Sequence, residues 1–117
     1  MKKTIKLYID ENEYKIVQEY TDYSEKFYKN GKLVKITHYY NDNQTIHYIE
    51  EYNENEKLVK EITYQDDGET VDWIDEYKEN GILIRSIIYE DDGKTISSIE
   101  EYDKDDYFYD EDDDDDE

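Results

Sequence analysis

Two side-chain types in this sequence have the chemistry to act as ligands or catalysts, imidazole and carboxylate. The imidazoles are His38 and His47. If Asp42-Asn43 between them forms a two-residue turn, they oppose one another on adjacent strands, within reach of one metal ion. The plainer reading is a pair of sheet-surface residues, and we expect no metal site. The carboxylates in "DDG" at 66–68 and 91–93 suggest calcium loops. The alternating acids and closing Glu of a calcium-binding hand are missing, however, so both segments read as hairpin turns. There is no ordered Ser/His/Asp set and no phosphate-cradling glycine loop. The acids are so numerous that no single pair stands out for general acid–base work. The expectation is a protein that is not an enzyme and needs no cofactor.

What the carboxylates make instead is a surface. There are 35 Asp and Glu against 14 Lys and Arg, for a net charge of −21. Residues 103–117 hold 11 acids and one lysine, so about half of that charge lies before them. This balance argues against direct binding of nucleic acid or an anionic membrane and favours a basic protein partner. The segment "DKDDYFYDEDDDDDE" also places Tyr107, Phe108 and Tyr109 among Asp105, Asp106, Asp110, Glu111 and Asp112. Rings beside carboxylates resemble stacked bases beside phosphates, the two features that single-strand grooves recognise. The plainer reading of this segment is a disordered tail that aids solubility.

The elements that would carry these residues repeat every 25 positions. "SEKFYKNGKLVKITHYYNDNQTIHY" (24–48), "IEEYNENEKLVKEITYQDDGETVDW" (49–73) and "IDEYKENGILIRSIIYEDDGKTISS" (74–98) align, and a fourth copy starts at "IEEYDKDD". Each copy has two strand-like runs, such as "TVDWIDEY" and "KLVKEITY", separated by turn residues. The segment before Ser24 reads as a degenerate hairpin of the same kind. Short strands with turns this close predict an antiparallel meander, and helical periodicity is poor. Fifteen tyrosines and no proline suit a pleated, half-buried surface.

Two-residue turns at Asp42-Asn43, Asp67-Gly68 and Asp92-Gly93 predict a definite register. Tyr64 faces Val71, Ile62 faces Trp73, Lys60 faces Asp75 and Leu58 faces Tyr77, with equivalent pairs in the other hairpins. Three-residue loops at 29–31 and 79–81 put Phe27 opposite Leu33 and Tyr77 opposite Leu83. Tyr52 opposite Leu58 follows by analogy, although Glu56 replaces the glycine. One face then carries an alternating row of Lys35, Glu50, Lys60, Asp75, Arg85 and Glu100 among aromatic and aliphatic rows. The other face holds Glu51, Glu61, Asp72, Glu76, Glu90 and Glu101, with almost no bases. A dry two-layer sandwich would have to desolvate the whole charged row, at several kcal/mol per ion. The fold class expected is therefore all-β, with hairpin repeats of about 25 residues in a single-layer, twisted open sheet. Residues 1–102 form that sheet domain and 103–117 an acidic tail. Cysteine is absent and no stretch could span a membrane, so a cytoplasmic location is expected.

The pieces "FYKNGKLVK", "YKENGILIR" and "YEDDGKTISSIEEYD" resemble Tyr-rich hairpin repeats, namely the MORN-like repeats of a bacterial antitoxin family and, more closely, short repeats of unknown function in phytoplasma proteins. The resemblance spans about residues 24–103 and implies a β-hairpin sheet with a binding role. The regular MORN glycines are missing, so lipid binding is not implied. The function expected is inhibition of a basic nucleic-acid-binding protein or nuclease by occupation of its nucleic-acid site, in the manner of an anti-CRISPR or anti-restriction protein. The residues expected to bind are Glu51, Asp72, Trp73, Glu76, Glu101 and the acidic and aromatic residues from Asp105 to Asp112. Two alternatives stand beside it: an immunity protein or antitoxin for a basic toxin, and a structural repeat scaffold with no nuclease partner.

Overall fold

The computed structural model describes residues 3–102. Nine strands run in chain order through one antiparallel sheet, each pairing only with its sequence neighbours. They are β1 Thr4–Ile9, β2 Lys15–Thr21, β3 Ser24–Lys29, β4 Lys32–Tyr39, β5 Ile46–Tyr52, β6 Leu58–Tyr64, β7 Val71–Tyr77, β8 Leu83–Tyr89 and β9 Ile96–Glu101. The degenerate N-terminal hairpin is β1–β2, and β2 continues the meander onto β3. The acidic segment 103–117 lies outside the described residues.

The sheet is a single layer. A flat sheet would be about 10 Å thick with its side chains. The molecule instead measures 53 × 33 × 31 Å. Right-handed twist of about 20–25° between neighbouring strands, the usual value for an antiparallel sheet, would account for the size of the smallest dimension. Burial is correspondingly sparse. Ile16, at 3% exposed, is the one buried hydrophobic residue among those described; the other buried residues are the small polar Thr37, Thr63 and Ser86. Stability must come from strand ladders and cross-strand contacts spread along the sheet, so the fold is close to one-dimensional.

The turns differ from expectation, and the difference matters. The Asp-Gly and Asp-Asn pairs do not form two-residue turns. Gln65 N–H donates to Thr70 C=O (2.8 Å) and Gly68 N–H to Gln65 C=O (2.9 Å), which closes a four-residue loop, 66–69. The Asp67 carboxylate holds it: Oδ1 accepts from the N–H of Glu69 (2.9 Å) and of Thr70 (2.8 Å), and Oδ2 accepts from the Thr70 hydroxyl. Asp42 with Thr45, and Asp92 with Thr95, repeat this arrangement. The signal lay in the threonine three residues after each aspartate.

After each loop, one residue of the second strand is skipped. Tyr64 does pair Val71, but the next pairs are Thr63 with Trp73, Ile62 with Ile74, Glu61 with Asp75 and Lys60 with Glu76, leaving Asp72 as the bulge residue. The same shift follows Tyr39–Ile46 and Tyr89–Ile96. The expected pairs Ile62–Trp73, Lys60–Asp75, Leu58–Tyr77 and their equivalents are therefore wrong by one residue. Because side chains alternate with a period of two, a one-residue slip moves a residue to the opposite face. Lys60 and Asp75 lie on opposite faces.

At the other end of the hairpins, Tyr77–Leu83 and Tyr52–Leu58 pair as expected, each followed by its own bulge. Glu56 takes the left-handed conformation (φ 59°) where the third repeat has Gly81 (φ 90°). Its carboxylate accepts from Leu33 N–H in the preceding hairpin at 2.9 Å, which gives the unusual backbone a compensating contact. Phe27 does not pair Leu33. Asn30-Gly31 is a two-residue turn with both φ positive (50° and 83°), so Lys29 pairs Lys32, Tyr28 pairs Leu33 and Phe27 pairs Lys35.

Candidate functional site

With the observed register, the rows across β4 to β9 can be assigned to faces. One face carries Lys35, Glu51, Lys60, Glu76, Arg85 and Glu101 in direct cross-strand succession. Beside it runs Thr37, Ile49, Ile62, Ile74, Ile87 and Ile99. Arg85 reaches both acidic neighbours, with Nη1 2.8 Å from Glu76 Oε1 and Nε 3.3 Å from Glu101 Oε2. Base opposes acid throughout this row, so its charges cancel locally. We call it the paired face.

The other face carries Ile36, Glu50, Glu61, Asp75, Ser86 and Glu100 in succession. The next row is His38, Tyr48, Thr63, Trp73, Ile88 and Ser98. Tyr52 and Tyr77 flank the acids on their other side. No lysine or arginine from β5 to β9 enters these rows. This is the anionic face.

Its acids are held by neutral or titratable groups rather than by fixed cations. His38 Nε2–H donates to Glu50 Oε1 at 2.7 Å, the Ser86 hydroxyl to Asp75 Oδ1 at 2.6 Å, and the Tyr102 phenol to Glu100 Oε1 at 3.0 Å. Glu61 has no hydrogen bond or ion pair among the described residues. It stands between Glu50 and Asp75, about 4.8 Å from each strand. Burial, and then the charges of those two neighbours, push its carboxyl above the ordinary value of 4.5, an effect only partly offset by His38. Burial, and then Glu50 and Glu61, raise the phenol of Tyr52; burial, and then Glu61, Asp75 and Glu50, raise that of Tyr77. The rings are ordered: His38 stacks on Tyr48 at 4.2 Å, and Trp73 keeps 38% of its surface exposed.

The sequence-based candidates are distributed as follows. Trp73, expected opposite Ile62 on the face of alternating charge, pairs Thr63 instead and shares the anionic face with Asp75. Glu51, Glu76 and Glu101 do not lie there; the bulges place them opposite bases on the paired face, and Glu50, Glu61, Asp75 and Glu100 take the unpaired positions instead. Asp72, skipped by the ladder, joins Gln65, Asp66, Asp67 and Asp91 around an open depression at the loop edge. Asp105, Asp106, Tyr107, Phe108, Tyr109, Asp110, Glu111 and Asp112 lie outside the described residues. His38 and His47 do not face each other: His38 pairs Tyr48, while His47 is the skipped residue and stacks on Tyr40 at 4.5 Å. Among the described residues, no three or more of His, Cys, Asp and Glu are grouped to hold a metal ion. No described helix is long and apolar enough to cross a membrane, which says nothing of strands.

Comparison with known families adds the context for this repeat. A family described as "Protein of unknown function (DUF2963)" matches residues 7–63, 39–85 and 64–111, three overlapping windows spanning nearly the whole chain. The chain belongs to the DUF2963 family. The last two windows start 25 residues apart, which is the hairpin period found in both sequence and sheet. Each matched window, 47 to 57 residues long, takes in about two hairpin periods of this meander. No curated protein matches the chain. Among solved structures it is similar to TarM, with 15% identity over 72% of this chain and a TM-score of 0.56. A mutant S. aureus TarM in complex with fondaparinux, alpha-GlcNAc-glycerol and UDP gives the same values. The match takes in 17% of the TarM chain, and at this identity it speaks for the sheet fold alone.

Proposed function

We propose that this chain is a non-enzymatic binding protein whose anionic face takes a basic protein partner, and that the partner is a nuclease or other nucleic-acid-binding protein whose nucleic-acid site the face occupies. One observation carries this reading: Glu50, Glu61 and Asp75 sit side by side with no cation between them, although a paired arrangement is built on the reverse of the same strands. Neighbouring like charges weaken a sheet by about 0.2–1 kcal/mol per pair. A basic partner would turn that repulsion into attraction.

The geometry is compatible with a groove made for a nucleic-acid strand. Carboxylates on adjacent strands recur at about 4.8 Å, somewhat wider than the 3.4 Å per charge along one DNA strand. Tyr48 and Trp73 on one side, and Tyr52 and Tyr77 on the other, supply rings where bases would stack. Association would be steered by charge and weakened by salt. An antitoxin acting on a basic toxin, the role that the MORN-like resemblance suggests, would use the same face. A neighbouring toxin gene would favour it.

The test is capture of partners from the source cell by the full chain at low and high salt, repeated with two charge-neutralised variants. In the first, Glu50→Gln, Glu61→Gln, Asp75→Asn and Glu100→Gln clear the anionic face. In the second, Glu51→Gln, Glu76→Gln and Glu101→Gln alter the paired face. The proposal expects a nucleic-acid enzyme, released by salt, displaced by DNA or RNA, and lost in the first variant only. Capture that ignores salt, or that fails only in the second variant, would defeat it. Replacing residues 104–117 by Gly/Ser measures the acidic segment's separate contribution.

A further inference from the structure

The two outer strands of the sheet, β1 and β9, are entirely exposed, but they are not equivalent. β9 ends in Glu100 and Glu101 and leads into the acids from Asp103 onward, charges that discourage a further strand. β1 reads TIKLYI, has no acid, and presents Ile5, Leu7 and Ile9 at 53%, 71% and 60% exposure. These three alternate residues share one face, while Lys6 and Tyr8 share the other, with Lys6 Nζ 5.3 Å from the Tyr8 ring centre.

The backbone of β1 also has a definite outward side. Asp10 N–H donates to Tyr14 C=O at 3.1 Å, the step after the Ile9–Lys15 pair. Antiparallel ladders bond every second residue to a given neighbour. Even-numbered residues of β1 therefore direct their N–H and C=O at β2, and Ile5, Leu7 and Ile9 direct theirs away from the sheet. Apolar side chains and unused backbone groups thus belong to the same three residues.

We infer that β1 pairs antiparallel with β1 of a second copy across a two-fold axis at Leu7, joining two nine-stranded sheets edge to edge. The register follows from self-complementarity. Leu7 opposes Leu7 of the other copy, Ile5 opposes Ile9, and Lys6 opposes Tyr8. Each odd-numbered pair exchanges two backbone hydrogen bonds. Beyond the strand ends the register sets Lys3, whose Nζ lies 2.9 Å from Glu19 Oε2 of its own chain, opposite Glu11 of the other copy, so no like charges meet there. A one-residue slip would put Lys6 opposite Leu7 and set the apolar triads on opposite faces. Self-pairing of β9 about Ile99 would set Glu101 opposite Ser97 and Glu100 opposite Ser98, so its outward residues Ser97, Ile99 and Glu101 offer no apolar triad and carry two carboxylates per copy into the junction.

The association differs from charge-steered partner binding in its salt response. Each copy carries −21, so screening strengthens dimerisation while it weakens capture of a basic protein. Sedimentation of the full chain is expected to give a species of twice the 14.3 kDa chain mass, tighter at 0.5 M than at 0.05 M salt. Leu7→Pro removes an outward N–H and leaves the β2 ladder intact, so it is expected to give a folded monomer by circular dichroism and sedimentation. The chain has no cysteine. Opposed residues of a bonded antiparallel pair have Cα atoms about 5.5 Å apart, within disulfide range. Leu7→Cys is therefore expected to form a disulfide-linked dimer on mild oxidation and Ile5→Cys is not. A wild-type monomer at several hundred micromolar in high salt would overturn the inference. So would a dimer that survives Leu7→Pro, or cross-linking through Ile5→Cys with none through Leu7→Cys.

Discussion

At the residue scale, the most informative position is Glu61. It is half-buried, lies between two carboxylates and has no described hydrogen-bond partner, so it is a site where stability is given up. Glu61→Gln keeps the shape and removes two like-charge contacts, and is expected to stabilise the fold by about 0.5–1 kcal/mol. The same change should weaken capture of the basic partner, and chemical denaturation beside the binding assay reads both effects. A stabilised variant with unchanged capture would remove Glu61 from the binding surface. Gly93 offers a contrasting test. Its φ is +70°, and a methyl group there would meet Thr70 Cγ2 at 2.5 Å and Val71 N at 3.0 Å in the preceding loop. Gly93→Ala is expected to cost about 1–3 kcal/mol. Gly31, with nothing within 4 Å, should suffer only the strain of its φ of +83°. A denaturation midpoint lower in Gly31→Ala than in Gly93→Ala would contradict this account of loop stacking.

At the element scale, the aspartate–threonine loops decide the register. Their carboxylates accept from the hydroxyl and backbone N–H of the threonine three residues on. This holds Asp42, Asp67 and Asp92 below the usual carboxylate range, Asp92 at about 2. A group with a depressed folded pKa contributes stability that is complete above its unfolded value. For these aspartates that stability fades as pH falls below 3.8, and for Asp92 it is lost on approaching about 2. Glu61 has the opposite sign. Its folded pKa is raised, so its destabilisation is present at neutral pH and is relieved as pH falls through that raised value to 4.5. Thermal stability should therefore rise on acidification from neutral pH to about 4.5 and fall again below about 3.8. In Glu61→Gln the rise should shrink. A melting temperature that falls steadily from pH 7 would refute the assignment.

At the scale of the whole molecule, a thin sheet with a net charge of −21 and almost no buried hydrophobic residue is held together by neighbour contacts while its charges repel. Lowering the Debye length from about 30 Å at 0.01 M to about 3 Å at 1 M salt should raise the melting temperature. The gain should be smaller in the variant that neutralises the anionic face than in the one that alters the paired face, because in the latter row acid already meets base.

The sequence by itself was enough for the repeat, the strands and the single wet layer. A 25-residue period, closely spaced turns and a charged residue recurring in every strand leave few other folds, since no dry core could take in so many ions. The pairing nearest most loops was also legible, as Tyr64–Val71 and Tyr77–Leu83 show, because turn position and local hydrophobic pattern agree there. At Asn30-Gly31 a two-residue turn replaced the expected three-residue loop and put Tyr28, not Phe27, opposite Leu33. Which acids stand unpaired was decided only in the tertiary structure. One skipped residue per hairpin, Asp72 in the central one, carries every later side chain of its strand to the other face. This exchanges Glu76 for Asp75 opposite Lys60. Such a bulge leaves almost no trace in composition or periodicity, because Asp75-Glu76 is acidic at both positions and reads equally well in either register. The loop geometry and the ladder on both sides of the strand settle it together.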